Sequence, residues 1–358
     1  MDIGIVGLPN VGKSTLFNAL TQAGAMVANY PFCTINPQIG VVPVPDERLE
    51  RLGYLLQPEK LTPTTIKFID IAGLVSGASQ GEGLGNQFLG HIREVDAIVH
   101  VVRFFSDGNV VHVSGEVNPL DDVSVIETEL ALADLETVQR RMEKTARQLK
   151  TGKAEYKEEF TELEKISKLL AEGKKPSPSP LVLELQLLSA KPCIYVANMD
   201  EDQITNLEDV PFYSEFIKYA KDNHAEVIPI SADLEVGLLD LSEEERNEYF
   251  DVLGISYESG LARLVKKSYA LLKLLTFYTD KGPETRAWTV QRGTKAPEAA
   301  GKIHSDMEEG FIKAEVVSFD ILEALGSFNA AREKGEVRVE GRDYEIEDGD
   351  VVLFRFRA

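Results

Sequence analysis

Gly7, Gly12, Lys13 and Ser14 stand in the spacing G-x-x-x-x-G-K-S near the amino end of the chain. This is a pattern for holding a phosphate chain. Glycines let the backbone wrap an anion with its N–H groups turned inward. Lys13 brings positive charge to β- and γ-phosphates, and the Ser14 hydroxyl is placed for Mg²⁺. Asn10, Val11, Gly12 and Thr15 complete the phosphate-binding stretch. An apolar run, Ile3 to Val6, leads into it, and Leu16 to Leu20 read as a helix behind it. Strand, glycine-rich loop and helix in that order are the context a P-loop requires, and the helix N-terminus adds partial positive charge. The ligand is therefore a nucleoside triphosphate; the type of base is decided further along the chain.

Four more elements follow in order. Asp70-Ile71-Ala72-Gly73 closes an apolar run and matches D-x-x-G. There the Asp orders Mg²⁺, usually through water, and the Gly73 N–H meets the γ-phosphate. Gly77, Gly81, Gly83 and Gly85 crowd the next stretch, a composition suited to a switch ordered by the γ-phosphate. Between P-loop and switch, Thr34 in Asn29-Tyr-Pro-Phe-Cys-Thr34 is the candidate for a second hydroxyl on Mg²⁺, a hard cation that Cys33 does not suit. The alternative for Thr34 is a plain turn residue.

Asn198-Met199-Asp200-Glu201 occupies the place of N-K-x-D in a GTPase. The final Asp of that motif accepts from guanine N1–H and the N2 amino group. Here Glu201 is one methylene longer, and Met199 replaces the Lys. Adenine has no donor at N1 or C2, so the variant weakens a guanine reading and opens an adenine one. Ser231-Ala232 matches the last base-side loop by its order in the chain.

Such residues need a sheet to carry them. Ile3 to Val6, Thr65 to Ile71, Ala97 to Val102, Cys193 to Ala197 and Val227 to Ile230 are near-continuous apolar runs, expected as parallel strands covered on both faces. Alternation with helical segments predicts an α/β doubly wound P-loop NTPase domain, with its ligand outside the C-terminal strand ends. From Asp121 to about Leu188 the period changes. Ile126, Leu130, Ala133, Val138 and Met142 form one helical set; Tyr156, Phe160, Leu163, Ile166 and Leu170 form another after Thr151-Gly152. An inserted helical hairpin, coiled-coil-like, is expected. Strand and helix patterns after Leu275 predict a small α+β domain. The expected domains are residues 1–120 with 189–275, residues 121–188, and residues 276–358.

The 358 residues carry a formal net charge of −21, which argues against a general polyanion binder, DNA included. Gln139 to Lys175 differ, with eleven Lys and Arg against seven Glu. This basic stretch either meets phosphates or is a solvated helix face. The C-terminal part from Thr276 is net acidic, twelve basic residues against seventeen. No apolar run is long enough for a membrane span, and no secretory leader is evident, so a cytoplasmic location is expected. Two cysteines, Cys33 and Cys193, make neither a disulfide framework nor a metal site.

Gly7 to Thr15, Tyr30 to Thr34, Asp70 to Leu74, Asn198 to Glu201 and the C-terminal region together resemble the YchF, or Obg-like ATPase, family of P-loop NTPases. The resemblance covers essentially the whole chain. It implies ATP favoured over GTP, association with the ribosome (its large subunit or the whole particle) or RNA, and a β-grasp TGS domain at the C-terminus. It also implies that Asn10 to Thr15 hold the phosphates, Ser14, Thr34 and Asp70 the Mg²⁺, and Asn198, Met199 and Glu201 the base. A monomer is expected.

Leu74 stands where Ras-type GTPases place the glutamine that orients water. Hydrolysis should then be slow unless another group serves. Asn10 resembles the asparagine that helps hold K⁺ in cation-dependent relatives; otherwise it only shapes the loop. His112 is the second candidate, an imidazole on a probable loop after a sheet strand, able to orient or deprotonate water unless it merely packs. The competing functions are a GTP-specific ribosome assembly factor and a nearly inactive nucleotide-dependent scaffold.

Overall fold

The computed structural model describes residues 1–27, 39–71, 84–107, 110, 112, 115–253 and 259–357. Thr34, Cys33, Gly73 and Leu74 lie outside them, as does most of the glycine-rich stretch. The chain divides into two compact units, Met1–Val41 with Lys67–Arg263, and Val42–Ile66 with Leu264–Ala358.

The first unit is built on a six-stranded sheet. Its strands are β1 (Asp2–Val6), β2 (Ile39–Pro43), β4 (Thr65–Asp70), β5 (Ala97–Arg103), β6 (Cys193–Asn198) and β7 (Glu226–Ile230), in the order β2-β4-β1-β5-β6-β7. The pairs β4-β1, β1-β5, β5-β6 and β6-β7 are parallel. Every residue of β5 is buried, which is why its sequence reads as an unbroken apolar run with His100 and Arg103 as exceptions. The order reverses between β4 and β5 around β1, so the crevice opens at the C-terminal end of β1. Helix α1 (Lys13–Val27) starts there.

The basic segment forms two helices. Helix α4 (Pro119–Gln148) follows α2 (Glu47–Leu56) and α3 (Leu84–Glu94) in the chain and is thirty residues long. Asn118 caps it, accepting from the N–H groups of Leu120 and Asp121, and Pro119 occupies its first turn. A short turn ending at Gly152, with φ 75°, reverses the chain into α5 (Ala154–Ala171). Val138 of α4 packs with Leu163, Ile166 and Leu170 of α5 and with Leu181 and Val182 of α6 (Pro180–Glu184). The expected break at Thr151-Gly152 is where the chain turns.

Asp134 secures the base of this hairpin. Its buried carboxylate accepts from the backbone N–H groups of Leu188 and Ser189, each at 2.8 Å, and from the Ser189 hydroxyl at 2.6 Å. Burial pushes its pKa up, and these donors only partly offset that. Glu127, farther back on α4, accepts from the hydroxyls of Tyr195 and Tyr219 and pairs with Lys175 at 2.8 Å. Burial alone would push Glu127 up, but Lys175 and the two phenols hold it below the usual carboxylate range.

Along the rest of the first unit run α7 (Glu201–Thr205), α8 (Tyr213–Asp222), α9 (Ala232–Leu239) and α10 (Glu243–Leu253). Helix α11 (Gly260–Leu271) begins on a buried Glu235 carboxylate, which accepts from the Gly260 and Leu261 N–H groups.

The second unit has a mixed sheet. Strands β3 (Lys60–Thr62), β8 (Leu274–Lys281), β9 (Glu284–Gln291), β10 (Phe311–Ser318), β11 (Arg338–Glu340) and β12 (Asp350–Phe356) lie in the order β11-β10-β12-β8-β9-β3. The β8-β9, β10-β11 and β10-β12 pairs are antiparallel; β12-β8 and β3-β9 are parallel. One face packs on α12 (Ala296–Gly301) and α13 (Ser305–Glu309), around Phe277, Val316 and Phe354. The other covers Tyr278, Val317 and Val351 with residues of α2 and of α14 (Phe319–Leu325) and α15 (Phe328–Glu333).

Two details depart from expectation. The sequence partition kept residues 42–66 with the nucleotide-binding domain, whereas they group with the C-terminal residues. Strand β3 extends the second sheet, and Leu49 and Leu52 of α2 enter its core. Of the helix patterns after Leu275, the one that reads as a single helix over Asp320 to Lys334 forms two, because Gly326 ends α14 at φ 83°, a left-handed conformation that stops the helix. Among the described residues no helix is long and apolar enough to cross a membrane.

Candidate nucleotide-binding site

The C-terminal ends of β1, β4, β5 and β6 and the start of α1 surround an open cleft of about 800 Å³, a size that admits a nucleotide. Leu8 to Asn10 and Gly12 to Thr15 form its floor; Asp70, Asn198, Asp200 and Asp233 stand on its walls. Phe105, Ser106, Asp107 and Val110 add a further rim.

Local chemistry shapes this floor. Asn10 has φ 64° and Gly12 φ 84°, so the loop turns through the left-handed region twice in three residues. A side chain at Gly12 would be strained by that φ and would also run into the Asn198 amide. Beneath the loop lies Arg103, at the end of β5 and 2% exposed. Its guanidinium donates to the carbonyls of Asn10 (3.4 Å), Phe105 (3.2 Å) and Asp107 (3.3 Å) and stacks 4.2 Å from the Phe105 ring centre. One buried cation therefore braces both the phosphate loop and the rim.

Lys13 and Asp70 meet in an ion pair within the cleft. Ser14 lines the same floor. A serine hydroxyl and a carboxylate are hard oxygen donors, the type Mg²⁺ takes together with phosphate oxygens and water, so the donor set fits that ion.

Asn198, at the end of β6, is buried. Its Nδ2 donates to the Val11 carbonyl at 2.9 Å, and its Oδ1 accepts from the Ala232 N–H at 3.0 Å. Ser231 caps α9 by accepting from the Leu234 N–H at 3.4 Å. Phosphate loop, Asn198 and the Ser231-Ala232 turn are thus one connected assembly.

The structure separates the other two residues of the expected base set from the cleft. Met199 is 2% exposed and packs into the core with Val102, Phe104, Tyr195 and Phe216. Glu201 opens α7 and is not among the residues lining the cleft; its Oε1 accepts from the Tyr249 hydroxyl. Asp200 faces the cleft instead, and its Oδ2 accepts from the Ser106 N–H at 3.0 Å. Sequence reasoning missed Asp200, Arg103 and the Phe105 rim. A charged residue ending an otherwise apolar strand, as Arg103 does, was the available signal.

His112 does not line the cleft. Its ring is buried, with Nε2 3.0 Å from Asp122 Oδ2 in the first turn of α4. Burial pushes Asp122 up, and the interaction with His112 opposes this. Cys193, at the start of β6, is partly exposed by surface area, and desolvation pushes its thiol up to about 12, which keeps it protonated and unreactive.

Comparison with known proteins places this geometry. Residues 2–139 match a family described as 50S ribosome-binding GTPase, and residues 274–357 match one described as YchF-GTPase C, a protein of unknown function. The chain is 51% identical over 365 residues to the ribosome-binding ATPase YchF of Bacillus subtilis, covering 99% of each. It is 47% identical over 362 residues to the protein of the same name from Escherichia coli O157:H7, again covering 99% of each. Among solved structures, the Schizosaccharomyces pombe YchF GTPase superposes with a TM-score of 0.88 at 37% identity, covering 99% of this chain and 97% of that one. A GTP-binding protein from Pyrococcus horikoshii, at 20% identity and a TM-score of 0.62, shares the fold. With its P-loop cleft, its C-terminal unit and relatives of this identity along its whole length, the chain belongs to the YchF family.

Proposed function

We propose that this chain is a ribosome-binding ATPase of the cytoplasm, which binds ATP in preference to GTP, hydrolyses it slowly and docks according to nucleotide state. The observation that carries the base preference is the engagement of both carboxylates after Asn198. Asp200 accepts from Ser106 and Glu201 from Tyr249. Guanine needs a carboxylate ready for its N1–H and N2 amino donors; adenine does not.

In this reading Asn10 to Thr15 cradle the phosphates, with Lys13 on the β- and γ-phosphates. Ser14, Asp70 and Thr34 hold Mg²⁺, which when bound neutralises phosphate charge. The Gly73 N–H meets the γ-phosphate, and the Asn198 and Ser231-Ala232 assembly positions the base side. Either K⁺, which Asn10 would help hold, or the His112 imidazole would supply what Leu74 lacks. His112 acts after leaving Asp122, since its ring is buried in the pair.

Exposed Arg140, Lys144, Arg147, Lys150 and Lys153 near the turn between α4 and α5 suit RNA phosphates, and the hairpin acts as a coiled-coil arm. Residues 276–358 serve as a TGS domain. The chain works as a monomer.

The test is titration of the full chain with ATP and with GTP, in Mg²⁺ and K⁺ buffer, beside co-sedimentation with ribosomes. ATP at least about tenfold tighter, roughly 1.4 kcal/mol, supports the reading. Tighter GTP would transfer it to a GTP-specific assembly factor. ATP binding without any phosphate release would leave a scaffold.

A further inference from the structure

We infer that Tyr249 sets the base preference of the cleft, by holding the Glu201 carboxylate at α10 and away from the base. The inference rests on the ATP reading above and names the residue that enforces it.

Glu201 is the first residue of α7, directly after Asp200, which lines the cleft. A glutamate at that point has two places to go. Turned inward, its carboxylate would accept guanine N1–H and the N2 amino group. Turned outward, it meets α10, and there the Tyr249 hydroxyl donates to Oε1. The extra methylene relative to aspartate gives Glu201 the reach for the outward position.

Tyr249 is itself held. Its ring stands edge-on to Phe250, with centroids 5.3 Å apart and planes at 79°, and Phe250 is buried. The phenol is therefore aimed by a packed neighbour. The bond to Glu201 also raises the Tyr249 pKa, so the hydroxyl keeps its proton and remains the donor at neutral pH.

Adenine has no donor that needs Glu201, so ATP binding is indifferent to where that carboxylate points. GTP must either recover the carboxylate from Tyr249 or leave two guanine donors without it. Tyr249 acts through Glu201 and touches no substrate; it is a positioning residue. Its effect belongs in the ratio of the two affinities, not in overall binding.

The experiment is a set of ATP and GTP titrations, with Mg²⁺, of the full chain as wild type, Tyr249→Phe, Glu201→Ala and the double variant. Tyr249→Phe keeps the ring on Phe250 and removes only the hydroxyl. It should tighten GTP relative to ATP by about three- to tenfold, the worth of one such hydrogen bond. In the Glu201→Ala background the same change should do nothing. Glu201→Asp, too short to reach α10, should move the ratio in the same direction as Tyr249→Phe and serves if that variant folds poorly.

An unchanged ratio in both Tyr249→Phe and Glu201→Asp, with wild type favouring ATP, overturns the inference while leaving the ATP reading intact. A shift that persists without Glu201 overturns it as well. A wild type that favours GTP refutes the ATP reading and the inference with it.

Discussion

The Asn198 side-chain amide donates to the Val11 carbonyl at 2.9 Å, joining the end of β6 to the middle of the phosphate loop. Its other atom accepts from Ala232, so a single buried amide ties the P-loop to the Ser231-Ala232 turn. Replacing it strands a buried carbonyl and a buried N–H. We expect Asn198→Ala to cost about 2–4 kcal/mol in urea unfolding and at least about tenfold in ATP affinity. Unchanged ATP affinity in a destabilised variant would confine Asn198 to a structural role.

His112 and Asp122 test the mechanism. If the imidazole orients water after leaving Asp122, His112→Ala should lower kcat by about 10²-fold or more with ATP affinity unaltered. Full turnover in single-turnover phosphate release would remove His112 from the chemistry. Comparison of K⁺ with Na⁺ buffer on the same protein separates this contribution from that of a cation at Asn10.

His100 predicts an acid-labile core. Burial lowers its pKa from 6.5 to about 4; Glu127 opposes the shift and Lys175 adds to it. Cys193 and Lys191 line the same small cavity. A base held neutral in the folded state gains protons first on unfolding. The stability it supplies is complete above about pH 6.5 and is lost as pH falls toward 4, a change of about 3 kcal/mol. Urea midpoints at pH 7 and 4.5 should differ less in His100→Gln than in wild type. Equal pH dependence would show that the carboxylates alone govern it.

The exposed cations near the hairpin turn predict salt-sensitive ribosome binding. Changing Arg140, Lys144, Arg147 and Lys150 to Glu should abolish co-sedimentation near 0.15 M salt. It should also flatten the slope of log affinity against log salt, by about one unit for each phosphate no longer neutralised. ATP turnover without ribosomes should stay at the wild-type level. An unaltered salt slope would assign these residues to a solvated helix face.

Much of the nucleotide site was legible because its chemistry is local. A phosphate loop draws on consecutive backbone N–H groups, so Gly12, Lys13 and Ser14 announce it within a few residues. Strands buried on both faces announce themselves as apolar runs, and the hairpin shows its two helical periods. The second unit was legible only after Leu275. The contribution of residues 42–66 depends on β3 pairing with β9, more than two hundred residues away, and no local pattern encodes that partner.

The base side shows the same division within one motif. By itself the sequence determined a phosphate-binding loop, the parallel strands that carry it and a departure from the guanine-reading motif at Met199 and Glu201. Tertiary structure alone decided what that departure does. It sends Met199 into the core, turns Asp200 into the cleft, ties Glu201 to Tyr249, and seats His112 against Asp122. The physical reason is that a backbone loop binds through its own consecutive groups. A side chain's direction is settled by the partners that folding brings to it, and these partners are distant in sequence.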